Sequence, residues 1–168
     1  MALFMPDLML NSVLEVTPEI LEKLNVKGLV LDVDNTLTTH SHPEPEIGVR
    51  EWISKMNSHN IPMMIVSNNT QTRVRPFADL LGLPFVSMSF KPATRGVTKA
   101  CKKFGLSANE VAIVGDQIFT DVIAGNLKGL KTILVTPFEY ETFILFRAKR
   151  RVEKIFINKY NKKGVGKD

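Results

Sequence analysis

At 168 residues the chain has room for one domain with a proper apolar core and too little for two ordinary ones. A hydrophobic fraction of 44% against 23% charged residues excludes wholesale disorder, and the single Cys101 excludes an intramolecular disulfide framework and fits a reducing compartment. The formal charge of +5 is unevenly placed: from Arg147 to Asp168 nine Lys/Arg stand against two Asp/Glu, a local +7 that leaves −2 for the rest of the chain.

Residues 1–26 read as an N-terminal arm. Its first 16 residues are apolar with few charges and suit either packing or membrane contact. No basic segment precedes a cleavable apolar stretch, and no apolar run approaches the ~20 residues a membrane-spanning helix needs. The expectation is a cytoplasmic protein, peripheral on the inner face of the membrane if its ends touch lipid.

From 27 to 137 short apolar runs alternate with helical patterns. Strands are predicted at Gly28–Asp32, Pro62–Val66, Phe85–Met88, Val111–Val114 and Thr132–Val135, because such runs suit strands buried on both faces of a parallel sheet. Helices are predicted over Ile47–Asn57, Thr70–Leu81, Thr94–Phe104 and Thr120–Leu127, with Gly82, Gly105 and Gly129 as left-handed stops after the last three. Cys101 and Phe104 fall on the inward face of the third helix, so the cysteine reads as buried and structural. Repeated strand–helix units with right-handed crossovers make a doubly wound, Rossmann-like α/β domain, in which ligands bind beyond the carboxyl ends of the strands.

Four short segments sit at that edge: Leu31-Asp32-Val33-Asp34-Asn35-Thr36-Leu37, Val66-Ser67-Asn68-Asn69, Lys91-Pro92 and Val114-Gly115-Asp116-Gln117-Ile118-Phe119-Thr120-Asp121. Two carboxylates spaced as Asp32 and Asp34 can serve one small ligand, one attacking phosphorus and the other exchanging a proton with the leaving group and the water. Alone, the pair is also a common solvated turn. Asp116 and Asp121 would repel Asp32 unless a hard cation such as Mg²⁺ sat among them; Asp121 equally suits a helix start. Ser67 and the amides of Asn68 and Asn69 offer donors to a phosphate, and Lys91 a permanent cation, although each taken singly is an ordinary loop residue.

In combination the four segments resemble the haloacid dehalogenase superfamily of aspartate-nucleophile phosphatases, over about Lys27 to Val135. The resemblance implies Asp32 as nucleophile, Asp34 as general acid/base, Ser67 and Lys91 on the phosphate, Asn68 and Thr36 with Ser67 among the substrate contacts, and Thr36 also orienting the motif. It implies Mg²⁺ held by Asp32, Asp34 through its carbonyl, and Asp116, with Asp121 a ligand or support. A dehalogenase would not need Asp34, so phosphatase chemistry is favoured.

Only 30 residues separate Thr36 from Ser67, which leaves no room for a cap domain. The loop Thr38–Pro45 between them carries His40 and His42, open to reading as metal ligands, substrate contacts or solvated residues. In 138–168, Leu145, Ala148, Val152, Ile155 and Phe156 make an apolar helical stripe opposite Arg147, Arg150, Arg151 and Lys154, interrupted by Lys149. This basic amphipathic helix suits packing on the domain, an anionic membrane surface, or RNA. Within the superfamily, the capless IIIA group of YqeG-type proteins and phosphatidylglycerophosphate phosphatases is most similar. That resemblance implies a lipid phosphate as substrate; a soluble nucleotide, sugar phosphate or phosphoprotein, and an RNA- or partner-binding module without turnover, are the alternatives.

Overall fold

The structure, a computed structural model, describes residues 3–40, 42–138, 155–158 and 161. Its strands are β1 (Leu8–Leu10), β2 (Gly28–Leu31), β3 (Met63–Val66), β4 (Phe85–Val86), β5 (Val111–Gly115) and β6 (Lys131–Val135). Its α-helices are α1 (Pro18–Lys23), α2 (Val49–Ser58), α3 (Gln71–Leu81), α4 (Arg95–Phe104) and α5 (Ile123–Lys128). All strand pairs are parallel, in the order β1-β6-β5-β2-β3-β4. This is the expected doubly wound α/β architecture, and no cap domain interrupts it between β2 and β3.

Each central strand is apolar throughout because both faces are covered. Leu29 and Leu31 of β2 point to one side, where Trp52, Ile53 and Met56 of α2 and Val74 and Phe77 of α3 close the core. Val30 points to the other, against Met64, Val66, Ile113 and α4 residues Val97, Ala100 and Cys101. Cys101 is buried as expected, and burial raises its thiol pKa, as befits a packing residue. Helices α3, α4 and α5 end on Gly82, Gly105 and Gly129 at positive φ.

Residues 8–26, set apart in the sequence as an arm, enter the sheet and the core. Leu8–Leu10 pair with Ile133–Val135 as an edge strand, and Val13, Val16 and Leu21 are fully buried. Each such side chain contributes about 2 kcal/mol of apolar burial. The buried Trp52 indole donates to the Val16 carbonyl at 2.8 Å, fastening the segment to α2. Most of the C-terminal basic helix lies outside the described residues. Within them, residues 155–158 are helical, and Phe156 of the apolar stripe stacks on Phe4 and meets the edge of Phe119. Among the described residues no helix is long and apolar enough to cross a membrane.

Because β2 is the first central strand laid down, the chain leaves it toward β3 and β4 on one side and returns to β5 and β6 on the other. The strand order reverses between β2 and β5, and the crevice expected there opens at the carboxyl ends.

Candidate active site

Asp32 directly follows β2, and its amide donates to the Val114 carbonyl of β5 at 3.0 Å, so the sheet itself fixes its backbone. After it the chain turns tightly: the Asn35 amide donates to Thr38, the Thr36 amide to Val33, and Asn35 takes a positive φ of 60°. The asparagine there is apt, since its type tolerates the left-handed region better than most.

Lys91 lies below the cleft. Its Nζ donates to Asp32 Oδ1 at 2.8 Å and to Asp121 Oδ1 at 2.6 Å, with only 2% of the side chain exposed. It is delivered by the loop after β4, which Asn68 clamps: the Asn68 Oδ1 accepts from the Lys91 amide and the Ser89 hydroxyl, and its Nδ2 donates to the Lys91 carbonyl. Burial works against the Lys91 ammonium, but Asp121 and then Asp32 outweigh it and hold the amine protonated well above its ordinary range. Burial likewise pushes the Asp32 carboxyl up; Lys91 pulls it back, Asp121 pushes it up again, and the balance is about 6.

Asp116 and Asp121 follow β5. One oxygen from each of Asp32, Asp116 and Asp121 lies within 4.8 Å of the others. The helix expected from Thr120 begins earlier, as a wide π-helical turn over Ile118–Val122 that runs into α5. That turn folds Asp121 back over Gly115, where any Cβ would collide with the Asp121 carboxyl. The Gln117 amide donates to the second oxygen of Asp121 at 3.1 Å. Asp121 therefore charges the start of its helix and serves the site together.

Ser67 and Asp34 complete the cleft, which encloses about 150 Å³ and is also lined by Asn35, His40, Asn68, Asn69, Gln117 and Thr120. Ser67 is buried at the end of β3, and its hydroxyl accepts from the Asn69 amide at 3.2 Å. Asp34 is held by two side chains from the following segment. Arg73 Nη2 donates to its Oδ1 at 2.9 Å, and the Asn69 side chain donates to its Oδ2.

The family profile described as haloacid dehalogenase-like hydrolase matches residues 7–135, most of the chain and all of the sheet. The chain belongs to that family. The HAD chain is 36% identical over 161 residues to "Probable phosphatase YqeG" of Bacillus subtilis (strain 168), spanning 96% of itself and 94% of that protein. It is 27% identical over 158 residues to phosphatidylglycerophosphate phosphatase 1, chloroplastic/mitochondrial, of Arabidopsis thaliana, covering 88% of itself but only 45% of that protein. Among solved structures it resembles a HAD-superfamily hydrolase from Ehrlichia chaffeensis, with TM-score 0.58 and 16% identity over 79% of this chain and 98% of that one, a likeness of fold. By the family profile and the match to a protein named a probable phosphatase, the HAD chain is an enzyme of the phosphatase type.

The fold thus brings Asp32, Asp34, Ser67, Asn68, Lys91, Asp116 and Asp121 to one crevice. Thr36, grouped in the sequence with the substrate contacts, is fully buried behind the turn, outside the cleft lining, with its hydroxyl unpartnered. The Asn68 side chain is spent on the Lys91 loop. His42 closes a turn against the Glu44 backbone, whereas His40 is exposed on the cleft wall; neither belongs to the cluster of carboxylates.

Sequence reasoning offered only the backbone amide of Asn69 and missed its side chain, Ser89 and Arg73. Arg73 left a signal. It stands in the first turn of α3, the end of a helix that repels cations by about 0.3–1 kcal/mol. A residue placed against local preference points to a partner elsewhere.

Proposed function

We propose that this HAD enzyme is a Mg²⁺-dependent phosphomonoesterase that works through a phosphoryl group on Asp32 and acts on phosphatidylglycerophosphate at a membrane surface. The observation that carries the chemistry is the close grouping of carboxylates. One oxygen from each of Asp32, Asp116 and Asp121 lies within 4.8 Å of the others, and Lys91 bonds Asp32 and Asp121, so the three carboxylates are grouped closely enough to share one divalent cation. Hard carboxylate oxygens suit Mg²⁺. Asp32, Asp116 and the Asp34 carbonyl would hold the ion, while Asp121, with both oxygens already engaged by Lys91 and Gln117, backs the set. Once bound, the ion supplies charge neutralisation to the phosphoryl oxygens.

The residues divide the remaining work. Asp32 attacks phosphorus as the ester P–O bond breaks, and the bond's electron pair leaves on the alkoxide oxygen, which takes a proton from Asp34. Asp34 then removes a proton from water as the water oxygen attacks phosphorus; the Asp32–phosphorus bond breaks, releasing inorganic phosphate and restoring the carboxylate. Ser67 and the neighbouring backbone bind the phosphoryl oxygens, and Lys91 screens the nucleophile from their charge.

For the substrate, support comes from the Arabidopsis relative and another in Chlamydomonas reinhardtii, also named phosphatidylglycerophosphate phosphatase 1. The uncapped crevice leaves room for a phosphate carried on a bulky group. The loops at this edge of the sheet also expose apolar side chains, Ile47 at 95%, Met88 at 52% and Phe90 at 66%, which suits a rim resting on lipid. Purified enzyme should release phosphate from phosphatidylglycerophosphate in vesicles with Mg²⁺ and not without it, and Asp32→Asn should release none. Vigorous turnover of soluble nucleotide or sugar phosphates with none of the lipid would overturn the substrate assignment.

A further inference from the structure

We infer that Arg73 is the positioning residue of the reaction: together with Asn69 it forms a fork that sets the plane of the Asp34 carboxyl and binds the loop bearing His40 to the same point. The inference rests on the acid/base role given to Asp34 above and adds the device that makes the role work.

Arg73 Nη2 makes two hydrogen bonds, to Asp34 Oδ1 at 2.9 Å and to the His42 carbonyl at 2.8 Å. One nitrogen therefore joins the acid/base to the loop that forms the cleft wall. Its guanidinium stacks over the Phe77 ring at 5.6 Å, which removes most of its freedom to swing. Asn69 takes the other Asp34 oxygen, and its own backbone is fixed by the Ser67 hydroxyl and by the Met88 amide, which donates to its carbonyl at 2.8 Å. Both arms thus stand on α3 and the end of β3, elements that also carry the phosphate-binding Ser67. The far side of the loop is stapled independently: Arg50 pairs with Glu44 at 3.1 Å and donates to the Leu80 carbonyl at 3.2 Å. Loop position and carboxyl position are consequently separable, since Arg50 holds the first alone and Arg73 holds both. Arg73 does not line the cleft, so it acts through Asp34 and not on the phosphate.

A residue that positions the acid has a signature that a merely structural residue lacks. An alkyl leaving group needs the proton from Asp34, whereas p-nitrophenolate leaves without one. Arg73→Gln, and separately Asn69→Ser, should therefore lower single-turnover cleavage of an alkyl phosphate such as glycerol phosphate about 10- to 100-fold. The first-turnover burst of p-nitrophenolate should stay within about twofold of wild type, because attack by Asp32 is untouched. KM for both esters should hold, and Arg50→Gln should spare both rates. Equal losses on the two esters, in variants that keep the wild-type melting transition, would overturn the proposal. Asp34→Asn separates the two claims: if it too spares the alkyl ester, the acid role of Asp34 is wrong; if it abolishes alkyl cleavage while Arg73→Gln does not, only the role of Arg73 fails.

Discussion

Lys91 and Arg73 each hold an aspartate of the same turn, yet one sits under the cleft and the other at its rim. Lys91 is 2% exposed and faces Asp32 and Asp121 with 12% and 2% of their side chains exposed, whereas Arg73 and Asp34 are 19% and 13% exposed. In the deep group one ammonium bonds two carboxylates, Asp32 and Asp121, and the carboxylates of Asp32, Asp116 and Asp121 share a small space. At the rim Arg73 meets Asp34. The difference teaches that the buried half groups carboxylates as a divalent cation would need, while the rim pair is held by the chain's own arginine.

Removing the deep cation gives the largest expected effect. Lys91→Met takes the ammonium away from the buried Asp32 and Asp121 carboxylates and should cost about 3–5 kcal/mol of stability in chelator, read by urea unfolding. Added Mg²⁺ should recover a share of that loss, since an ion bound only to the folded state stabilises it. If the variant is as stable as wild type in chelator, the buried Lys91 pairs do not hold the fold.

Next in size is a pH effect. Asp32 is lifted from 3.8 to about 6 in the metal-free fold, so the folded state binds its proton more tightly than the unfolded chain. Its contribution is full below pH 4 and is lost as pH rises through 6, a fall of about 3 kcal/mol. Asp32→Asn, which resembles the protonated acid, should flatten that fall and be more stable than wild type at pH 8 in chelator. An unfolding series from pH 4 to 8 checks the sign; a wild-type protein that gains stability over the same span by more than its other groups explain would reverse it.

A smaller effect is expected at Gly115, where alanine must push the Asp121 carboxyl off its place. The cost should be about 1–3 kcal/mol, accompanied by weaker Mg²⁺ binding by calorimetry. The least is expected far from the site. Lys27 and Glu110 form a 2.6 Å pair on the surface, and with Ser107 the lysine holds the Glu110 carboxyl down to about 2, yet solvent screens both. Lys27→Ala should leave the melting temperature within error and screen no differently at high salt.

The elements that could be read from the chain were those whose residues answer to one physical demand. Val30 or Met64 must be apolar because both faces of the sheet are covered, and Asp32, Ser67 and Asp116 stand directly after such strands. Strand β1 escaped notice because its three residues, Leu8 to Leu10, are only half-buried at an edge and its register depends on β6. Helix α1 was also missed, although its start signal stands in the chain: the Thr17 side chain accepts from the Ile20 amide, and Pro18 takes the first turn. The Asn69 side chain and Arg73 were hidden for another reason. Their meaning depends on a side chain crossing from the start of α3 to the turn after β2, a juxtaposition that no local pattern encodes.

The direct test of the phosphoryl-aspartate chemistry is a rapid acid quench of wild-type enzyme with labelled substrate and Mg²⁺, followed by peptide mapping. The label should appear on Asp32 within the first turnover, decay as inorganic phosphate is released, and be absent from Asp32→Asn. Label on another residue, or phosphate release at full rate with none on the protein, would contradict it.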